Sequence, residues 1–103
     1  MALANATAVA VATATWTTVT SVTGDGTKQV IGFAVKCDDA AVAFEARMAI
    51  NGVTTIAGVA ALAGSSAQVY DAPTTIPNTQ SCVVQVLHAA GVNKAFTGTL
   101  LGS

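Results

Sequence analysis

The sequence predicts an all-β chain: a small antiparallel β-sandwich or barrel of about seven short strands, Ig-like or jelly-roll-like, with an extended N-terminal arm. Three observations carry this. Apolar and polar residues alternate with period two along most of the chain. Thr and Val, whose branched side chains fit a pleated surface, dominate many of those runs. Turn signals recur about every eight to twelve residues, the rhythm of a sandwich rather than of strands alternating with helices.

Taken in order, residues 1–15 alternate without a break: Ala2, Ala4, Ala6, Ala8, Ala10, Ala12 and Ala14 share one parity. Leu3, Asn5, Thr7, Val9, Val11 and Thr13 share the other and form a row suited to lying along a partner. Trp16 ends the alanine series, either as a plug for the chain's own core or as an anchor to a neighbour. The regularity stops there, so residues 1–15 are read as an arm and 16–103 as the sandwich.

Trp16–Thr23 is a β-prone run closed by Gly24-Asp25-Gly26, which supplies the positive φ of a tight turn. The following run, Lys28–Cys37, places Ile31, Phe33, Val35 and Cys37 on one face, and Asp38-Asp39 punctuates it. The next run sets Val42, Phe44, Ala46, Met48 and Ile50 against Ala43, Glu45, Arg47 and Ala49, a half-buried strand. Asn51-Gly52 then predicts a two-residue hairpin, because both central residues of that turn need positive φ. Val53–Ile56 pairs back across it. Ala57–Ala63 reads as a glycine-interrupted strand or a short helix, with strand favoured. A short strand at Gln68–Tyr70 precedes a loop over Pro73–Gln80 with two prolines. Cys82–Ala89, a turn at Gly91–Lys94 and a strand at Ala95–Leu101 complete the chain.

Charged residues make up 9% of the 103 residues, with a net charge of −1. Average soluble domains carry roughly 25%, so the exterior is coated by neutral polar groups or by partners. With no basic stripe to match phosphates, nucleic acid is not an expected partner. The long uncharged stretches are interrupted by Thr, Ser, Asn, Gly and Pro, which argues against a membrane span. No Lys or Arg precedes the first apolar stretch, so a secretory signal is not expected. Of the hydrophobic residues 22 are alanine, which bury little individually, so association is expected to add stability.

Candidate chemistry is sparse. Cys37 and Cys82 have no metal-site spacing; they are two buried thiols, a disulfide, or a link between subunits. His88, the sole histidine, reads as a core-edge or surface residue rather than a catalytic or metal-binding one. Glu45 and Arg47 share a strand face and form ion pairs or remain solvated. Ser65, Ser66 and Ser81 lack a base or elbow motif, and Gly24-Asp25-Gly26 lacks the further ligands of a cation loop. The expectation is a non-enzyme without catalytic residues, metal or cofactor.

Trp16-Thr17-Thr18-Val19-Thr20, the glycine turn, Lys28-Gln29-Val30-Ile31-Gly32, the Val42–Ile50 strand, Asn51-Gly52, the proline loop and the closing hairpin form a succession. This succession resembles the small β-sandwich virion proteins of tailed bacteriophages, especially capsid decoration or cement proteins. Cys37-Asp38-Asp39 stands where an Asn-rich turn is more usual, and His88 to Gly91 where a Gly-Asp turn is. The resemblance implies a structural protein at the capsid surface of the virion, assembled in the host cytoplasm, with the major capsid protein and neighbouring copies of itself as partners. Phage tail or adaptor subunits and glycan-binding fibre or adhesin modules are the alternatives.

Overall fold

A computed structural model describes residues 2–103; Met1 lies outside them. They form eight strands: β1 (Ala2–Val11), β2 (Thr17–Thr23), β3 (Gln29–Cys37), β4 (Phe44–Ile50), β5 (Val53–Ala61), β6 (Ser66–Thr75), β7 (Ser81–His88) and β8 (Lys94–Gly102). Two four-stranded antiparallel sheets result, ordered β1-β8-β3-β6 and β2-β7-β4-β5. The all-β, sandwich-like expectation therefore holds.

The pairings are nested. At the centre β4 and β5 pair across Asn51-Gly52, whose φ values of 52° and 78° are those a two-residue hairpin demands. Outside this pair β3 joins β6, β2 joins β7 and β1 joins β8. Connections 12–16, 38–43, 62–65 and 89–93 gather at one end, and 24–28, 51–52 and 76–80 at the other.

Strict alternation makes β7 and β8 the centre of the core. Cys82, Val84, Val86 and His88 point inward from β7, and Phe96 and Leu100 from β8. Phe96 meets Phe44 edge to face, with ring centroids 5.0 Å apart, and so links the two sheets. Gly98 lies between these inward residues because a Cβ there would sit 2.9 Å from Val19 of the facing sheet. At the other end Asp25 closes its turn as an acceptor: its Oδ1 receives the Thr27 hydroxyl (2.7 Å), the Thr27 N–H (2.9 Å) and the Lys28 N–H (3.1 Å). The Thr27 hydroxyl above all, with those amides, holds the exposed carboxyl at a pKa of about 2.

Two expectations need correction. Of the arm expected over residues 1–15, the described part does not stand apart: Ala2–Val11 is the edge strand β1, hydrogen-bonded along β8, and it brings the strand count to eight. Nor is the Pro73–Gln80 stretch all loop, because β6 continues to Thr75. Gln29 and Val30 pair with Thr75 and Thr74, but Gly32 pairs with Tyr70, so Asp71–Pro73 bulges outward between them. Pro73 is tolerated there because an edge bulge asks for no ladder hydrogen bond at its nitrogen.

Candidate functional site

The connections at the 12–16 end, together with the strand ends beneath them, build the main concavity, an open cleft of about 540 Å³. Its lining comes from Ala14, the Ala43–Glu45 start of β4, Ala60–Leu62 at the end of β5, and Leu87–Ala89 at the end of β7. Register explains the convergence: Phe44 lies between Ala61 and His88 in the ladder, and Glu45 between Ala60 and Leu87. The wall is mostly apolar, and Leu62 stands at it 78% exposed. Such a surface can bind an apolar side chain, but it presents no nucleophile with an aligned base.

His88 is structural in this arrangement. Its buried ring donates from Nε2 to the Val11 carbonyl (2.9 Å) and accepts at Nδ1 from the Ala90 N–H (3.2 Å). Both nitrogens are engaged within the fold, Nε2 as donor and Nδ1 as acceptor. Its backbone carbonyl accepts the Ala14 N–H (2.7 Å) and, more weakly, the Thr13 hydroxyl (3.4 Å). His88 thus ties the end of β1 and the following crossover to β7.

The row expected on one partner-binding face is divided. Asn5 and Thr7 are exposed, and the Asn5 Oδ1 accepts the Thr99 hydroxyl at 2.7 Å. Leu3 and Val9 pack against the core, Val11 is fully buried, and Thr13 accepts the Gly91 N–H at 3.3 Å. Two register shifts make the division, one at Leu3 between Ala2 and Ala4, and a bulge at Ala8, whose φ is 53°, between Ala6 and Val9. Ala4 and Ala6 are half-buried before it, whereas Val9 and Val11 turn inward after it. Alternation in sequence gives no sign of this, since an inserted residue leaves the composition pattern intact.

No family model, curated protein or solved structure matches this chain.

Trp16 lies half-buried on the outer side of the second sheet, with the Arg47 guanidinium 4.2 Å from its ring centroid. Arg47 Nε donates to Gln85 Oε1 (2.9 Å), and Gln85 Nε2 donates to the Thr18 hydroxyl (3.4 Å), making a polar row across three strands. Arg47 is therefore engaged by Trp16 and Gln85. Lys94 and Asp39 form an ion pair of 2.8 Å at the surface, which lowers the Asp39 pKa and raises that of Lys94.

Both cysteines are free thiols. Cys37 is half-buried at the end of β3, with its Sγ 3.6 Å from the Ala95 carbonyl, and Cys82 is enclosed at the start of β7. They occupy opposite ends of the sandwich, so the possible intrachain disulfide does not form. Burial pushes the Cys82 thiol up to about 11. Among the described residues no three His, Cys, Asp or Glu side chains gather as a metal site.

The cleft was not legible as a site beforehand. Glu45 and His88 were visible as lone polar residues, but Phe44, Ala60, Leu62 and Leu87 carry no motif and meet only through the ladder register.

Proposed function

We propose that the chain is a structural, non-enzymatic virion protein that coats a bacteriophage capsid in many copies, clamping the major capsid subunits from the capsid surface after assembly in the host cytoplasm. The observation that carries this reading is the character of the sheet edges. Of the four edge strands, β1, β2 and β5 contain no charged residue, and β6 contains only Asp71. Folded chains that remain alone guard such edges with charge, proline or bulges, because unpaired N–H and C=O groups recruit further strands. Here charge is almost absent and the edges are interrupted by bulges and Pro73 alone, which leaves weakly charged strand edges for neighbours to cover.

The strand order supports the reading at a coarser level. Nested pairs rolled into sheets β1-β8-β3-β6 and β2-β7-β4-β5 give jelly-roll connectivity, an architecture used by capsid and lectin domains alike. Fold alone does not select between those uses. A glycan-binding module would need an aromatic platform; Arg47 covers Trp16, and Phe33, Phe44 and Phe96 are buried, which leaves Tyr70 as the exposed ring. The mechanism is multivalent attachment, in which individually weak contacts sum through high local concentration.

The test is titration of the purified chain onto capsid shells from the same genome that lack it, followed by thermal challenge of the particles. Saturation at a fixed number of copies per capsomer with greater heat resistance supports the proposal. Shells that bind none of it, or bind without saturation, overturn it.

A further inference from the structure

We propose that Asn51 is a site of spontaneous covalent modification, at which the side-chain amide is lost through a succinimide formed with the backbone nitrogen of Gly52, leaving aspartate and β-linked isoaspartate. Water is the sole co-reactant. The inference is independent of capsid binding, because it is read on the purified chain alone.

The step balances on atoms of the turn and a water molecule. The Gly52 backbone nitrogen gives up its proton and bonds to Asn51 Cγ; the Cγ–Nδ2 bond breaks, and ammonia leaves carrying that proton. Water then opens the five-membered ring on either side of its nitrogen. Cleavage at Cγ restores the main chain with an aspartate side chain. Cleavage at the former Asn51 carbonyl carbon reroutes the main chain through Cβ, which adds an atom to a loop only two residues long.

The structure leaves this step free at Asn51 and opposes it elsewhere. Asn51 and Gly52 are both exposed between β4 and β5, and a Cβ placed on Gly52 would meet nothing within 4 Å. The attacking nitrogen therefore has neither a side chain beside it nor a neighbour over it. Among the described residues neither the Asn51 carboxamide nor the Gly52 N–H has a hydrogen-bond partner. The Asn51 N–H donates to the Ser81 carbonyl at 2.9 Å, but that nitrogen lies outside the ring that forms. Closing the ring turns only ψ and the side chain of Asn51, and no packing resists either. By contrast, Asn5, Asn78 and Asn93 precede Ala6, Thr79 and Lys94, whose side chains crowd the nitrogen. Asn5 is also tied down, its Oδ1 accepting the Thr99 hydroxyl at 2.7 Å. Asp25-Gly26, at the same end of the sandwich, has the glycine but not the freedom. Its Oδ1 holds the Thr27 hydroxyl and two backbone N–H groups, which keep the carboxyl ionised and without a good leaving group.

The test is incubation of the full chain in mildly alkaline buffer made with heavy-oxygen water, folded and, in parallel, unfolded in guanidinium. Anion-exchange chromatography is expected to show a growing species with one more negative charge. Peptide mass spectrometry is expected to place the heavy oxygen at position 51, in both aspartate and isoaspartate. The folded chain is expected to react within about tenfold of the unfolded rate, because opening an unpacked turn costs little free energy. Asn51→Gln, whose longer side chain closes a ring far more slowly, is expected to abolish the acidic species while circular dichroism retains the sheet spectrum. The comparison of folded with unfolded wild-type chain decides the matter even if that variant does not fold. A folded chain whose Asn51 stays intact while the unfolded chain converts, or one in which Asn5, Asp25, Asn78 or Asn93 reacts first, overturns the proposal.

Discussion

At the residue scale the two thiols make the sharpest contrast, because the same side chain is placed in two environments. Cys37 is half-buried near the surface and Cys82 fully enclosed, so native protein at pH 8 is expected to react rapidly with a soluble thiol reagent at Cys37. Labelling of Cys82 should follow only on unfolding; mass spectrometry of digested protein checks the order. Cys82 also gives stability a pH dependence on the alkaline side. Its folded pKa of about 11 lies above the ordinary 9.0, so the unfolded chain releases that proton first. Its contribution is complete below pH 9 and is lost as pH rises towards about 11, which urea midpoints measured at pH 8 and pH 10.5 resolve as a fall. Sequence offered both cysteines as candidates and left their pairing open. Only their separation along the sandwich excludes the intrachain bond, and separation is a property of topology rather than of spacing.

Elements show where reading by periodicity succeeds and where it stops. The Asn51-Gly52 hairpin and the alternation of β7 are found as expected, and the strand before the hairpin follows its predicted faces from Phe44 to Met48, but it starts at Phe44 and Ala49, expected on the exposed side, is buried. In β1 the same rule misleads: alanine fits either face, so the pattern cannot report the bulge at Ala8. Asp71–Pro73 misleads in the opposite sense, since proline reads as loop although the strand resumes after it. An alanine at φ 53° pays the left-handed penalty of about 1–2 kcal/mol, which glycine avoids at an entropic cost of about 0.5–1 kcal/mol. Ala8→Gly is therefore expected to stabilise the chain by about 0.5–1 kcal/mol in chemical denaturation. A loss of stability would mean that the bulge lies elsewhere in solution.

For the whole molecule, β1 is part of the sandwich rather than an addition to it. Val11 is fully buried, the His88 ring is bonded to its carbonyl, and β1 covers the edge of β8. Removing residues 1–11 is accordingly expected to abolish cooperative unfolding, seen as a flat calorimetric trace, rather than to leave a stable core lacking a tether. A truncated chain that still melts cooperatively would return the segment to the role of a separable arm. The candidate cleft belongs to this scale as well: its walls come from four separate stretches of chain, so it exists only once both the β4–β5 and β4–β7 ladders are in register.

The nested pairings also order events in time. The β4–β5 hairpin closes across two residues, whereas Ala4 must find Leu100, and each successive pair encloses a longer loop. Contacts so distant along the chain place this domain among slow folders, on a scale of about milliseconds to seconds. On the ribosome β1 emerges before the other seven strands, and its partner β8 after them. Throughout synthesis the alanine-rich strand waits unpaired, and a composition with little large apolar surface is one that can wait in water without sticking.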